Sequence, residues 1–492
     1  MKKIALSIVA TLLLFSCSKE EKETEVSEIQ EIYSIEEVNR FMESQIKELG
    51  DINWKKAEAK MLYSAVMHGE GVLSIGYGNE GDSFSGTQKS PSVKAALENI
   101  KSIVSSHEIY QKSRDPIEDP VLNVIDVNVS NIETIKSLLT TKQIRYLDPI
   151  GYNYFAPSNQ GYQQKNAGCD ERDEAINAND VSAISPNALV PWNFNIHNIP
   201  QAWSKSTGSG ITVGVIDTGL TTNQELLNGS INNGASSGRS VQRFGTYIDS
   251  PWWWSNNVDG PNDRCGHGTQ MLAVLGAPRN NKGLPVGVAY NANLVSYRGT
   301  SDVLLDDYHE RKGVSNALVA LANRNDVKII SMSIGFLYSI GNIKDAVKYA
   351  YSKGKLIICA GGTSTSFTNW YGIIFPASMN ETVAVTGIKD NGYKRCDICH
   401  DGDMDFTIVM QRGSDANRNV PVIGFNSGTT RYSSGSSVAT AITSGIAALV
   451  WSKNPGFNRD QVLDKLKKSG EFYPRRDKRF GYGNIDALKA VQ

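Results

Sequence analysis

Three short runs, far apart in a chain of 492 residues, hold an aspartate, a histidine and a serine in distinct local settings. VGVIDTGL, ending at Leu220, puts Asp217 at the close of an apolar run. GHGT, Gly266 to Thr269, puts His267 at the head of the apolar segment HGTQMLAVLGA, and SGSSVAT, Ser434 to Thr440, puts Ser437 at the start of SVATAITSGIAALVW. A serine hydroxyl is a poor nucleophile near neutral pH, so it needs a base, and the base needs a carboxylate to fix its tautomer and stabilise its protonated form. Ser437, His267 and Asp217 fit those three roles for acyl transfer. Of the six histidines only His267 lies between glycines at the start of an apolar helix; the other five read as surface or packing residues. An aspartate at a strand end is usually a turn residue, so the joint occurrence carries the argument.

The elements that must hold these groups are legible beyond Pro191. GITVGVID, NLVSYR, VKIISMSI, KLIICA and TVAVTGI are short Val/Ile-rich runs, with helical GVSNALVALANR and NIKDAVKYAYSK between some of them. Such runs imply a parallel sheet covered on both faces, with right-handed crossovers and active groups outside the carboxyl ends of the strands. Asp217 sits at such an end.

The three runs, their order and the flanks ALVPWNFNIHNIPQAW and FGYGNIDALKAV resemble the subtilisin-like serine proteases over most of Ala188 to Gln492. The resemblance implies an α/β/α sandwich with a mostly parallel sheet, and an endopeptidase that cuts proteins or peptides through an acyl-enzyme. It selects Ser437 over Ser433, Ser434 and Ser436, because GSSVATA matches the family's glycine, threonine, serine, hydrophobic, alanine pattern. The amino terminus of the helix that follows favours a developing oxyanion. Ser333, Ile334 and Gly335, the end of SMSIG, match the segment whose backbone pairs with substrate as an added strand, with glycine allowing close approach. Ala441 stands where the family usually has proline.

One departure concerns the oxyanion. Where subtilases usually carry an asparagine after a strand ending Ala-Gly, KLIICAGGTSTSFTNW has Gly362. Loss of one such donor costs about 100- to 1,000-fold in turnover. The Gly362 N–H, Thr363, Ser364, Thr365 or Asn369 are the substitutes within reach, and Phe375 to Ser378, FPAS, still match further on. The departure motivates an alternative, a peptide-binding pseudoprotease with an impaired oxyanion hole; the intact trio argues against it. The chemistry itself calls for no cofactor. NNKGLPVGVA resembles a calcium loop of many subtilases, which implies a structural calcium ion with Asn281 and Glu225 among its ligands.

Besides Cys17 there are five cysteines, an odd number for an oxidising compartment. Cys359 lies in an apolar strand and reads as a small hydrophobe. The other four suffice for two disulfides, with Cys396 beside Cys399 and Cys169 with Cys265 as one pairing among several. CDICH, Cys396 to His400, also satisfies the C-x-x-C-H haem pattern. It falls where the subtilases it resembles have a surface turn between two core strands, and with no evident second axial ligand this favours a loop disulfide over haem, and over zinc held by Cys396, Cys399 and His400.

The start of the chain reads as an export signal. Met1-Lys2-Lys3 is basic, Ile4 to Phe15 is apolar but too short to span a bilayer, and LFSC resembles a lipobox, making residues 1–16 a signal peptide and Cys17 the lipidated residue. No later segment reads as a membrane span. Residues 17–32 are a charged tether, and Ser18-Lys19-Glu20-Glu21 resembles a signal for the outer face of the outer membrane. Residues 33–155 show a strand, helix, strand, helix, strand pattern suited to a small ferredoxin-like α+β unit, with Asn131 capping the second helix. Its position, and the ending IRYLDPIGYNYF, resemble the inhibitory propeptide of secreted subtilases. Residues 156–185 read as a polar linker, with cleavage expected between about Tyr154 and Ala183, and 186–492 as the peptidase domain. A net charge of -1, from 50 basic and 51 acidic residues, leaves no basis for nucleic-acid binding.

Overall fold

Strands form where β-branched residues run together, and helices where apolar residues recur every three or four positions. The computed structural model describes residues 31–84, 89–109, 111, 114–154, 168–362 and 372–492. Its first part holds helices α1 (Ile35–Leu49) and α2 (Ala59–His68), strand β1 (Val72–Tyr77), α3 (Pro91–His107), β2 (Ile117–Glu118), β3 (Val124–Asn128), α4 (Ile132–Thr140) and β4 (Ile144–Asp148). The sheet runs β2-β3-β1-β4, antiparallel throughout. The expected alternation is the part from β1 to β4, and Asn131 caps α4 by accepting from the Glu133 N–H at 3.0 Å. The pattern did not reveal α1 and α2. Within IEEVNRFMESQIKEL Val38, Met42 and Ile46 are buried and Ile35 and Phe41 pack beside them, an amphipathic stripe at helical spacing to which the Ser34–Glu37 capping box adds a start signal.

The second part opens with a hairpin, β5 (Val181–Ile184) with β6 (Ala188–Pro191), and the short helices α5 (Trp192–Ile196) and α6 (Ile199–Ala202). Then come β7 (Thr212–Asp217), β8 (Val241–Gly245), α7 (His267–Gly276), β9 (Asn293–Arg298), α8 (Tyr308–Ala322), β10 (Val327–Met332), α9 (Gly341–Ser352), β11 (Leu356–Ala360), β12 (Thr382–Lys389) and β13 (Phe406–Gln411). The hairpin of β14 (Val420–Ile423) and β15 (Thr430–Ser433) leads to α10 (Gly435–Lys453), α11 (Arg459–Ser469) and α12 (Ala487–Ala490). Among the described residues the central sheet has seven parallel strands in the order β13-β12-β11-β10-β7-β9-β8. Helices α8 and α9 cover one face, and α7 and α10 the other. This is the subtilisin-like sandwich.

The strand order reverses between β7 and β10, and such a switch point opens a crevice at the carboxyl ends of the strands. Ile216 pairs with Met332, so Asp217 and Ser333 leave neighbouring strands side by side. By length and composition α10 could cross a membrane, contrary to the reading that no later segment could; 94% of that window is buried inside the fold, where Ala, Val and Ile pack against the sheet.

The four-stranded unit packs against α8 and α9 and belongs to one contact unit with the rest, Tyr33–Gln492. Arg145 makes two bonds to Asp345, at 2.6 and 2.7 Å, and Tyr146 adds a third at 3.1 Å. The Gly341 N–H donates to Asp148, and Lys312 and Tyr308 donate to Asp126. The span 156–185 is not linker-like from residue 168 on. Its polar side chains find specific partners: Asp180 accepts from Arg412, Arg418 and Tyr432, and β5 pairs with β6.

Candidate active site

Asp217 ends β7 and is 1% exposed. Its Oδ1 accepts from the His267 ring at Nδ1, 2.7 Å away, and from the Thr218 N–H at 2.8 Å. A carboxylate at Nδ1 keeps the proton there and leaves Nε2 as the basic nitrogen. Burial by itself would lower the imidazole pKa; the Asp217 charge and hydrogen bond, with Asp263 and Asp302 further off, outweigh it and hold the ring above its ordinary value. A base of this kind loses function as pH falls through that raised pKa.

His267 opens α7 because the preceding loop is tied to it. Asp263 Oδ1 accepts from the N–H groups of Cys265 and Gly266 and from the Thr218 hydroxyl, while Oδ2 accepts from the N–H and hydroxyl of Thr269. The Gly268 N–H donates to Thr218 Oγ1, so Thr218 joins the Asp217 turn to the helix. Gly266 has φ 87°, and a Cβ there would lie 2.6 Å from the Asp170 carbonyl oxygen. Glycine is required on both counts. Asp263 escaped the sequence reading, although an aspartate just ahead of a helix start is itself a capping signal.

Ser437 lies in the first turn of α10 and is 7% exposed. Its hydroxyl donates to the Ser333 carbonyl at 3.5 Å, and the Ser333 hydroxyl donates to the Ser437 carbonyl at 3.2 Å. The β10 end, the β7 end and the α10 start thereby meet. Ser333 and Ile334 are buried, and a Cβ at Gly335 would fall 2.5 Å from the Phe375 carbonyl oxygen. The Gly335 N–H donates to Val303 and its carbonyl accepts from Leu305, so its pairing edge is engaged by the chain's own segment 303–305.

The remaining sites divide. Cys169 joins Cys265, and Cys396 joins Cys399, so neither of the latter offers a thiolate to zinc or haem. Cys359 is free and buried, and burial pushes its thiol pKa up. Gly362 donates its N–H to the Ser436 hydroxyl at 3.2 Å. Thr363, with Ser364, Thr365 and Asn369, lies outside the described residues, as does Cys17. Glu225 and Asn281 are both exposed; the Ser230 hydroxyl donates to Glu225, and the Asn281 N–H donates to the Asn233 side chain. With one carboxylate, already engaged by a hydroxyl, the pair does not make a calcium cage of six to eight oxygens. Asp302 is buried and accepts from the Leu304 N–H; Asp306, Asp307 and Glu310 gather nearby.

The subtilase family model matches residues 208–483. Among curated proteins the chain is similar to thermitase of Thermoactinomyces vulgaris, 26% identical over 300 residues, covering 60% of this chain and 92% of that protein. It is also similar to the thermostable alkaline protease of Halalkalibacterium halodurans, 28% identical over 330 residues, covering 63% and 78%. In fold it is similar to MycP1 from Mycobacterium smegmatis, with a TM-score of 0.50 and 20% identity over 65% of this chain and 89% of that one. The chain belongs to the subtilase family and is a subtilisin-like serine endopeptidase.

Proposed function

We propose that Ser437 attacks the scissile carbonyl, His267 takes its proton at Nε2 and returns it to the leaving amine, and Asp217 orients and stabilises the imidazolium. Water, activated by the same base, then releases the acyl group and restores Ser437. The observation that carries this reading is the buried 2.7 Å Asp217–His267 bond, linked through Ser333 on the adjoining strand to Ser437. The Ser437 N–H at the α10 amino terminus would receive the oxyanion, since the Gly362 N–H is engaged by the Ser436 hydroxyl. A peptide adding as a strand at Ser333 to Gly335 displaces segment 303–305 from the edge it occupies.

In the same reading, residues 33–155 are a propeptide that holds the enzyme as a zymogen, removed by a cut between Tyr154 and Gly168. Its support is the packing on α8 and α9. Export on the signal peptide and lipid on Cys17 would place the enzyme at the outer membrane, with protein substrates outside the cell. A fluorophosphonate probe tests the central claim: serine-directed labelling of the processed chain that vanishes in Ser437→Ala is expected. No labelling would leave the peptide-binding pseudoprotease, which the bare Gly362 favours. Metabolic labelling with palmitate, lost in Cys17→Ser, checks the anchor.

A further inference from the structure

Two sequence features have no place in this mechanism so far, the glycine at 362 and the CDICH run. They meet in the fold. Gly362 follows β11 with φ 130°, a conformation that side-chain-bearing residues rarely adopt. Its N–H donates to Ser436, the neighbour of Ser437, and its carbonyl accepts from the His400 N–H at 3.0 Å. A Cβ at 362 would lie 2.3 Å from His400 Nδ1 and 2.7 Å from Cγ. The imidazole therefore fills the space that a side chain at 362 would need, the asparagine usual in subtilases included. His400 is 3% exposed, and Nδ1 donates to the Gly372 carbonyl at 3.0 Å. The Cys396–Cys399 bridge ends one residue earlier, and the Cys396 N–H donates to Gly387 of β12, so the turn carrying His400 is fastened to the sheet.

We infer that His400 is a positioning residue for the oxyanion end of the site. Its ring and N–H lock Gly362, Gly362 holds Ser436, and Ser436 sets the backbone amide of Ser437 at the first turn of α10. The inference rests on Ser437 as the nucleophile. With no side chain from 362 to bind the oxyanion, placement of that amide matters more, since misplacement by about 1 Å costs up to roughly 100-fold in rate.

The test expresses the full chain, lets it process itself, and measures kcat and KM of the processed enzyme on the best-cleaved fluorogenic peptide of a library, with active sites counted by the fluorophosphonate probe. His400→Ala is expected to lower kcat per labelled site by about 10- to 100-fold with KM changed by less than about threefold. His400→Asn, which keeps a donor for Gly372, is expected to recover part of the loss, and it serves as the working variant if His400→Ala does not accumulate. Gly362→Ala, which sets a Cβ against the ring and also strains the backbone at φ 130°, is expected to cost at least as much in the wild type and less in the His400→Ala background, where only the backbone strain remains. A kcat per labelled site that stays at the wild-type value in both His400 variants, whatever their melting temperatures, overturns the inference while Ser437 stands. So do Gly362 and His400 effects that simply multiply. A processed wild-type chain that the probe does not label overturns both.

Discussion

Two segments precede the region matched by the family model, and both lie on the peptidase core, yet they are held by different forces. The unit from α1 to β4 grips α8 and α9 through Arg145–Asp345, Lys312–Asp126 and Gly341–Asp148, contacts that water and ions can replace once the surfaces part. The arm from Gly168 to β6 is joined covalently through Cys169–Cys265, pins Asp180 between Arg412 and Arg418, and passes its Asp170 carbonyl over Gly266, next to His267. A cut between the two would therefore free the first and leave the second attached, as part of the wall beside the proposed base.

The contrast is open to experiment in an inactive Ser437→Ala chain, where self-cleavage cannot confuse the readings. Replacing Cys169 and Cys265 by serine should cost the most, about 4.7 kcal/mol by the chain-entropy model for a loop of nearly 100 residues, read by urea unfolding; a loss under about 1 kcal/mol would mean that the arm is held chiefly by its other contacts. Arg145→Ala leaves the buried Asp345 unpaired and should cost about 3 kcal/mol. Hydrogen exchange should rise in β1, β4 and α9 but not in β5 and β6. Asp180→Asn should do the reverse, at about 2 kcal/mol, less than a fully buried pair because both guanidiniums are a quarter exposed. Equal exchange in both regions for either variant would remove the distinction.

The smallest effect is a pH dependence. Burial raises the Asp148 pKa to about 7, against the opposing Gly341 N–H bond, with Asp51 adding to the rise. A carboxyl raised in the folded state favours docking when protonated, so its stabilising contribution is full below the unfolded value of about 3.9 and falls as pH climbs toward 7. Asp148→Asn should flatten that slope between pH 4 and 7, measured as the difference in unfolding free energy between the two. An unchanged slope would show that Asp148 does not sense docking. Asp180 has the opposite sign. Its two arginines and Tyr432 outweigh burial and lower its pKa, so the arm keeps this contribution above about pH 3.9 and loses it in stronger acid.

Much of the frame was readable without coordinates. The apolar runs marked β7, β10, β11 and β12 because short, Val/Ile-rich runs bounded by turn residues have few alternatives, and GHGT and SGSSVAT announced helix starts. In the first part, β1, α3, β3, α4 and β4 followed from period alone. The helices α1 and α2 escaped the reading, although Ile35, Val38, Phe41, Met42 and Ile46 recur at helical spacing in α1. The arm looked like linker because its composition is that of a solvated segment, and only distant partners such as Arg412, Arg418 and Tyr432 make it ordered.

The same division holds at the site. Residue types and local spacing determined the trio Asp217, His267 and Ser437, because each needs a particular strand end or helix start that neighbouring residues encode. Tertiary structure alone decided that Asp263 ties the Asp217 turn to the His267 helix, that segment 303–305 occupies the Gly335 edge, and that His400 fills the space beside Gly362. These are contacts between segments remote in sequence, set by how the layers pack, and no local periodicity records which side chain will fill a space that another element leaves open.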